Sequence, residues 1–346
     1  MLRNERCLAF LLMILYWYSG KGQIIAQFVD SVNSSIVVKK IYGNGNYCAF
    51  TSLVEYRGKY YCAFREGETH VADGDDGVIR IISSEKGDMW NLEETLYMEN
   101  VDLRDPNLSV MPNGKLLLLC GARMKNEDGN YVTKTYYSIK KNKKSSFRDL
   151  KPVVLPPSVD GVFCAWCWKL TWGKKYGYTI EYRHDGMKWR VDLLRTKDGR
   201  HYEHITELAI SNAPTEGKVA FTDKGQMLAI VRTNDKGYYG YSAYPFREWK
   251  WERMPFFVGG HDILINGNYL ICASRCQTPK GNKTQIYYTD VNTISEGVRL
   301  TLPSGGDNGY CGLLSVDNEW WISYYSAHEY SKPSIYLARI PKSIYE

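Results

Sequence analysis

The chain has 346 residues, of which 44% are hydrophobic and 24% charged, and its formal net charge is +6 at pH 7. This positive charge is small and scattered, which argues against a nucleic-acid-binding surface and leaves at most a mild preference for anionic ligands. Long amphipathic helical patterns are missing from the sequence, and apolar residues alternate or cluster in short runs, as they do in β-strands.

The N-terminal 26 residues have the pattern of a secretory signal peptide. Arg3 and Arg6 give it a positive start, and Cys7 to Tyr18 form an apolar stretch that is short for a membrane span. The alternative is a retained membrane anchor. We expect a secreted or periplasmic protein with no stable membrane insertion, in which residues 27–346 form a single domain.

One phrase recurs six times along the rest of the chain: a short apolar run, a Gly or Asn turn, and a second apolar run. The turns lie at Gly58, Gly114, Gly173, Gly225, Gly267 and Asn318. Their separation of 42 to 59 residues suits one four-stranded antiparallel blade, and repeated blades of this size are typical of a β-propeller. The sequence therefore predicts an all-β, six-bladed β-propeller with a shallow polar pocket on one rim.

Eight cysteines remain if Cys7 is removed with the signal peptide. Cys164 and Cys167 form a C-x-x-C pair, but no second pair follows at zinc-finger spacing, so we predict no metal site. Most of the others lie inside apolar strands, as small core residues do. In an oxidising compartment, Cys48 and Cys62 are candidates for a bridge between neighbouring strands.

Residues 83–90 have the form S-x-E-x-G-x-x-W, which predicts a hairpin turn. We expect the Glu85 carboxylate to bind backbone N–H groups, Gly87 to adopt a positive φ and Trp90 to pack between strands. Residues 196–199 look like a shortened copy. The motif resembles the Asp-box of the sialidase (neuraminidase) superfamily, with Glu85 in place of the usual Asp. The resemblance extends over most of the mature chain, and these boxes support the fold rather than catalysis.

The first predicted blade resembles the family in part. Residues 47–54 occupy the place of a Y/F-R-I-P motif that supplies the first of three arginines holding the sialic acid carboxylate, but Cys48 stands at that arginine's position. Arg65 matches a secondary arginine of the family and is a candidate substrate-binding residue.

The loop after Arg65 is acidic. By its distance from the Asp-box, Asp73 matches the family's general acid/base, with Asp75 and Asp76 as alternatives and His70 nearby as a candidate substrate-binding residue. Three clustered carboxylates can raise one pKa enough to hold a proton at neutral pH. An acidic solvent-exposed loop and a calcium site are the alternatives.

The later blades match the family more closely. Glu216 and Arg232 have the spacing of the family's glutamate and second clamp arginine, and Tyr310 lies in a segment that resembles the one holding its tyrosine nucleophile. The resemblance implies that Glu216 withdraws the phenol proton while Tyr310 attacks. A neutral Tyr approaches a carboxylate-bearing anomeric centre without the repulsion that an Asp or Glu would meet.

Further arginines are candidates for binding an anionic group. Arg275 is the nearest substitute for the third clamp arginine, while Arg104 and Asp105 either line the pocket or form a buried structural pair. Independently of the family, five arginines follow a repeat turn by seven to ten residues, and we expect about three of them to converge on one rim. They are Arg65, Arg123, Arg183, Arg232 and Arg275.

With these matches, the resemblance implies a retaining exo-glycosidase that removes a terminal acidic sugar, sialic acid or a related ulosonic acid, from glycans. It is expected to be a monomer, to need no metal or organic cofactor and to bind no nucleic acid. Two alternatives remain open. One is the same fold acting on a different glycoside or uronic acid, as a hydrolase or a lyase, and the other is a non-catalytic glycan-binding propeller.

Overall fold

The structure, a computed structural model, describes residues 35–71, 77–159 and 163–345 in full, together with the backbone of Phe28–Val29. These residues form six blades of antiparallel strands, as the recurring phrase predicts, and a short parallel pairing joins two of the blades into one sheet. The proposed signal peptide and Asp73, Asp75 and Asp76 lie outside the described residues. Among the described helices, which are all single 3₁₀ turns, none is long and apolar enough to cross a membrane.

The strands follow one another blade by blade. Blade one contains β3 (Tyr47–Tyr56), β4 (Lys59–Gly67), β5 (Val78–Ser84) and β6 (Asn91–Leu96), and blade two contains β7 (Asp102–Val110), β8 (Leu116–Lys125), β9 (Tyr131–Lys140) and β10 (Lys151–Pro152). Blade three contains β11 (Cys164–Trp172), β12 (Gly177–His184), β13 (Trp189–Thr196) and β14 (Tyr202–Glu207), and blade four contains β15 (Gly217–Phe221), β16 (Met227–Val231), β17 (Tyr238–Ser242) and β18 (Lys250–Arg253). Blade five contains β19 (Gly259–Asn266), β20 (Tyr269–Thr278), β21 (Gly281–Asp290) and β22 (Val298–Thr301), with β1 (Phe28–Val29) parallel to β22. Blade six contains β23 (Asn308–Val316), β24 (Glu319–Ser326) and β25 (Ser334–Pro341). Short 3₁₀ helices lie at Pro157–Val159, Ile294–Glu296 and Lys342–Tyr345.

The first strand of each blade lies at the centre of the ring. β3 contacts β7, β7 contacts β11, and the series continues through β15, β19 and β23 back to β3. The outer strand of blade six comes from the other end of the chain. It is β2 (Val37–Tyr42), which pairs antiparallel with β25. Strand β2 therefore completes blade six and closes the ring.

The core is divided into six hydrophobic clusters, one at each contact between neighbouring blades. Strand alternation explains this arrangement, because successive side chains of a strand point to opposite faces of the sheet. On β24, for example, Trp320 packs towards blade five and Trp321 towards blade one, and both are almost fully buried. Aromatic strands of this kind stabilise both blade contacts, at roughly 1.5–3 kcal/mol for each large side chain.

The six turns named in the sequence all join the first and second strands of a blade, on the face opposite to the one where the inner strands begin.

All eight cysteines in the described part of the chain are free buried thiols, so a Cys48–Cys62 bridge is not formed. Cys62 pairs with Leu53 rather than with Cys48 across the β3–β4 ladder, which explains why the two sulfur atoms do not meet.

The Asp-box forms the turn between β5 and β6, and Gly87 has φ 75° as predicted. The expectation for Glu85 is wrong. Its side chain is exposed, and Ser84 Oγ accepts the hydrogen bond from Gly87 N at 2.8 Å instead. Trp90 Nε1 donates to Gly87 O at 3.1 Å, which fixes the turn from the other side.

Candidate active site

Five of the six inner strands break their register near the end where they enter the blade. The breaks lie between Ala49 and Ser52, Arg104 and Asn107, Cys167 and Leu170, Gly259 and Asp262, and Gly309 and Gly312. Such bulges re-aim side chains and are common beside active sites. Because the ring brings these ends together, the bulges surround one point on the propeller axis.

Three of the bulge residues adopt positive φ although they are not glycine: Phe50 at 63°, Asp105 at 44° and Tyr310 at 49°. Together with Trp168 from β11, they line one narrow pocket. Left-handed backbone is unfavourable for residues with a Cβ, and it persists where the surrounding structure enforces it, often at functional sites. Phe50 and Tyr310 pack edge to face, with ring centroids 5.0 Å apart.

Glu216 and Arg232 are held opposite each other where the β15–β16 hairpin ends. Arg232 N donates to Glu216 O at 2.8 Å, which continues the ladder by one residue beyond both strands. The side chains also meet, since Arg232 Nη1 lies 2.6 Å from Glu216 Oε1. The predicted spacing of this pair thus corresponds to a direct ion pair at the start of an inner strand.

Tyr310 completes a three-residue cluster with this pair. Its hydroxyl donates to Glu216 Oε1 at 2.6 Å and accepts from Arg232 Nη1 at 3.1 Å. Burial and the Glu216 charge hold the pKa of Tyr310 above its usual value. Burial would also raise the pKa of Glu216, but Arg232 and the hydrogen bonds from Tyr310 and Gly260 outweigh it and keep that pKa low. The resting state is therefore a neutral phenol that donates a hydrogen bond to an ionised carboxylate.

Gly260, which the sequence analysis did not identify, fixes the second oxygen of Glu216. Its N–H donates to Glu216 Oε2 at 2.6 Å, and its φ is 57°. A Cβ at this position would lie 2.3 Å from Cγ of Tyr310 and 2.7 Å from its Cα. Only glycine therefore lets β19 approach Tyr310 this closely.

Gly260→Ala should lower turnover by about 10- to 100-fold, because displacing the tyrosine by even 1 Å disrupts the reacting geometry. The matched control is Gly267→Ala. It has a similar φ of 58°, and an added Cβ would meet nothing within 4 Å. Steady-state kinetics of both variants, with any substrate that the wild-type protein turns over, tests this. Equal activity of the two would mean that the contact with Tyr310 is unimportant.

Asp307 organises the neighbouring side of the pocket, and nothing in the sequence pointed to it. Its Oδ1 accepts from Arg275 Nη1 at 2.9 Å and from Tyr325 OH at 2.9 Å. Its Oδ2 lies 2.6 Å from His70 Nδ1 and is also bonded by Tyr47 OH. Burial would raise the pKa of Asp307, but the bonds from His70 and Tyr47 together with the Arg275 charge lower it to about 2. A fixed carboxylate thus holds Arg275, whose guanidinium carbon lies 5.0 Å from the Tyr310 ring centroid.

Arg65 lies beneath the pocket rather than at its surface. Its side chain is completely buried, with Nε bonded to Asp102 Oδ1 at 2.6 Å. Asp102 Oδ2 in turn accepts from Arg104 Nη1 at 3.1 Å, and Arg104 lies over the Phe50 ring at 4.9 Å. In this geometry Arg65 supports Arg104 through Asp102.

Of the five arginines that follow repeat turns, Arg232 and Arg275 converge on Tyr310. Arg183 instead pairs with Asp192 and Glu181 inside blade three, and Arg123 lies over the Tyr131 ring. Cys48 is fully buried in the contact between blades one and six, so the place of the first clamp arginine is occupied by core. The structure brings Glu216, Arg232, Tyr310, Arg275, Asp105, Arg104 and His70 to one rim.

Comparison with solved structures agrees with this architecture. The chain is similar to a protein of unknown function from Dyadobacter fermentans (17% identity over 89% of this chain and 100% of that one, TM-score 0.76). It is also similar to a mutant of Trypanosoma rangeli sialidase displaying trans-sialidase activity (13% identity over 90% of this chain, TM-score 0.67). This chain covers only 60% of that sialidase.

An α-L-arabinofuranosidase from Fusarium graminearum is similar over 90% of this chain and 98% of its own length, with 14% identity and a TM-score of 0.64. No family model and no curated protein sequence matches the chain. The fold is therefore the common feature, and the chain has the six-bladed, sialidase-like β-propeller fold.

Proposed function

We propose that the protein is a retaining exo-glycosidase that removes a terminal acidic sugar from glycans. The observation that carries this proposal is the 2.6 Å hydrogen bond from the Tyr310 hydroxyl to Glu216, with Arg232 bonded to both. A tyrosine paired with a carboxylate base is the arrangement expected of a nucleophile that attacks an anionic sugar. The N-terminal sequence supports action in a secreted or periplasmic location.

In the proposed reaction, the Tyr310 oxygen attacks the anomeric carbon as its proton passes to Glu216. The bond to the departing oxygen breaks, and a general acid protonates that oxygen. Water then attacks the anomeric carbon from the face that the departing group has left and gives a proton to the former acid. The bond from that carbon to Tyr310 breaks as Glu216 returns a proton to the tyrosine oxygen, and the two displacements give net retention. The acid that the family resemblance suggests, Asp73, lies outside the described residues.

The anionic group of the sugar would bind the arginines around Tyr310. Arg232 uses Nη1 for both of its bonds in the cluster, and 29% of its side chain is exposed, so another edge of the guanidinium can face a ligand. Arg275 lies over the ring of Tyr310 and Arg104 over the ring of Phe50, and both rings line the pocket. Guanidinium groups from different blades can bind a carboxylate through charge-assisted hydrogen bonds.

Fluorophore release from a 4-methylumbelliferyl sialoside, measured beside a panel of uronic acid and neutral glycosides, tests the proposal. We expect release from an acidic glycoside and from no neutral one. Unsaturated products that absorb in the near ultraviolet would indicate a lyase instead. Saturable sugar binding without any product would indicate a glycan-binding propeller and would contradict the proposed activity.

Arg275→Met should raise KM for the acidic glycoside by about 10- to 100-fold, the loss expected for a hydrogen bond between charged groups. Arg195→Met is the matched control, because Arg195 forms a half-exposed ion pair with Glu203 in blade three, away from the Tyr310 cluster. An unchanged KM in Arg275→Met would mean that Arg275 does not bind the anionic group.

A further inference from the structure

Asp105 is a buried carboxyl group that the Tyr310 cluster leaves unused. Its side chain is 8% exposed, and it lines the pocket with Tyr310, Phe50 and Trp168. The bulge in β7 and the positive φ of 44° place it there, at an unfavourable backbone geometry. An aspartate held in this way calls for a physical explanation.

A structural ion pair with Arg104 does not supply one. The closest approach, from Arg104 Nε to Asp105 Oδ2, is 3.8 Å, which is too long for a hydrogen bond. Arg104 directs Nη1 to Asp102 Oδ2 at 3.1 Å and to the His70 carbonyl oxygen at 2.9 Å. Asp105 Oδ1 is buried and has no hydrogen-bond partner among the described residues. A buried carboxylate without hydrogen bonds is expensive, whereas a protonated carboxyl avoids most of that penalty.

We propose that Asp105 is the general acid of this site: it holds a proton in the free protein and delivers it to the departing glycosidic oxygen. This inference rests on the proposed function and differs from it in naming the acid on β7, in place of Asp73. The proton moves from Asp105 to the departing oxygen as the C–O bond breaks and Tyr310 bonds to the anomeric carbon. Asp105, now a carboxylate, removes a proton from the water that next attacks the anomeric carbon. The bond from that carbon to Tyr310 breaks and Glu216 returns the tyrosine proton, which restores all three groups.

The electrostatic surroundings are compatible with this role. Burial is the largest influence and raises the pKa of Asp105 to about 7, while Arg104 opposes the rise and Glu216 adds to it. The other titratable groups facing it are Arg65 on β4, Asp102 on β7, Cys120 on β8, Lys169 on β11, Tyr182 on β12 and Tyr310 on β23. A carboxyl that titrates near neutrality beside an ionised Glu216 gives the separated pair that acid–base catalysis needs.

Two glycosides of the same acidic sugar test the inference, one with a 4-methylumbelliferyl leaving group and one with a sugar as leaving group. Asp105→Asn should lose on the order of 100-fold or more in kcat/KM with the sugar leaving group, and less than about 10-fold with the activated one, which needs little protonation. The wild-type kcat/KM should fall above about pH 7, and this fall should be absent in Asp105→Asn. Asp73→Asn is the control, and it should change kcat/KM for the two glycosides by similar factors.

Equal losses of kcat/KM for the two glycosides in Asp105→Asn would overturn the inference. A larger loss with the sugar leaving group in Asp73→Asn would overturn it as well.

Thermal stability gives an independent readout. Because the folded protein holds the Asp105 proton to higher pH than the unfolded chain, ionisation destabilises the fold as pH rises from about 4 to 7. Asp105→Asn should therefore melt at a higher temperature than wild type, with a larger difference at pH 8 than at pH 4.

The wild-type protein supplies a test that needs no variant and no substrate. Its infrared spectrum should contain the C=O band of a protonated carboxyl at pH 6, and this band should disappear as pH rises through 7 to 8. Absence of the band would overturn the inference even if Asp105→Asn does not fold. If no glycoside is cleaved at all, the proposed function fails, while loss of the infrared band in Asp105→Asn still assigns the proton to Asp105 and absence of the band from wild type still contradicts it.

Discussion

Tyr310→Phe should reduce kcat by on the order of 10³-fold or more while leaving the fold intact. The change removes one oxygen atom, and that oxygen is the proposed nucleophile as well as the donor to Glu216 at 2.6 Å. A thousandfold loss corresponds to about 4 kcal/mol of transition-state stabilisation, which is large for a single atom but expected for a covalent nucleophile. Fluorophore release from the best acidic glycoside measures it.

Tyr324→Phe is the matched control for Tyr310→Phe. Tyr324 is a buried tyrosine of the same blade whose hydroxyl donates to the Pro303 carbonyl oxygen at 2.9 Å. Its loss should cost about 1 kcal/mol of stability and no activity. If both variants lose turnover equally, the effect of Tyr310→Phe is structural, and a nucleophilic role for Tyr310 is contradicted.

Glu216→Gln should lower kcat by about 10²- to 10⁴-fold, the usual contribution of a positioned general base. The amide keeps the shape of the side chain but cannot take the phenol proton, and Arg232 then loses its ionic partner. Glu203→Gln is the control, because Glu203 is an exposed carboxylate paired with Arg195. Full activity of Glu216→Gln would mean that Tyr310 is activated in another way.

The same variant should change how stability depends on pH. The pKa of Glu216 in the folded protein lies below its ordinary value of 4.5, so its stabilising contribution is complete above that pH and is lost as pH falls through the folded pKa. Wild type should therefore lose more stability than Glu216→Gln on acidification below about pH 4. Thermal melts of the two proteins at pH 3 and pH 6 measure the difference, and parallel curves would contradict it.

Much of the fold could be predicted because its unit repeats. A Gly or Asn turn between two apolar runs is a local signal, and six copies at blade spacing define the number of blades without any knowledge of long-range contacts. Glu216, Arg232 and Tyr310 were found through a resemblance to known motifs, and the hairpin between the first two is itself local. The closing strand β2 was not predicted, because its pairing with β25 joins opposite ends of the chain.

The rest of the site could not be predicted because it depends on backbone geometry. Gly260 matters through a bulge that brings it against Tyr310, and one glycine in a strand carries no such information. Asp307 follows two glycines and resembles any loop aspartate until the ring brings Arg275, Tyr325 and His70 to it. The Glu85 prediction failed because a neighbouring Ser84 hydroxyl is short enough to bond the turn N–H while Glu85 extends into solvent.

The most direct test of the central claim is to trap the covalent intermediate. A fluorinated glycosyl fluoride of the cleaved acidic sugar, with the second fluorine next to the anomeric carbon, slows breakdown of the intermediate more than its formation. Peptide mass spectrometry of the treated protein should then find one sugar attached to Tyr310 and none in Tyr310→Phe. A sugar on a different residue, or no adduct in a protein that does cleave the parent glycoside, would contradict Tyr310 as the nucleophile.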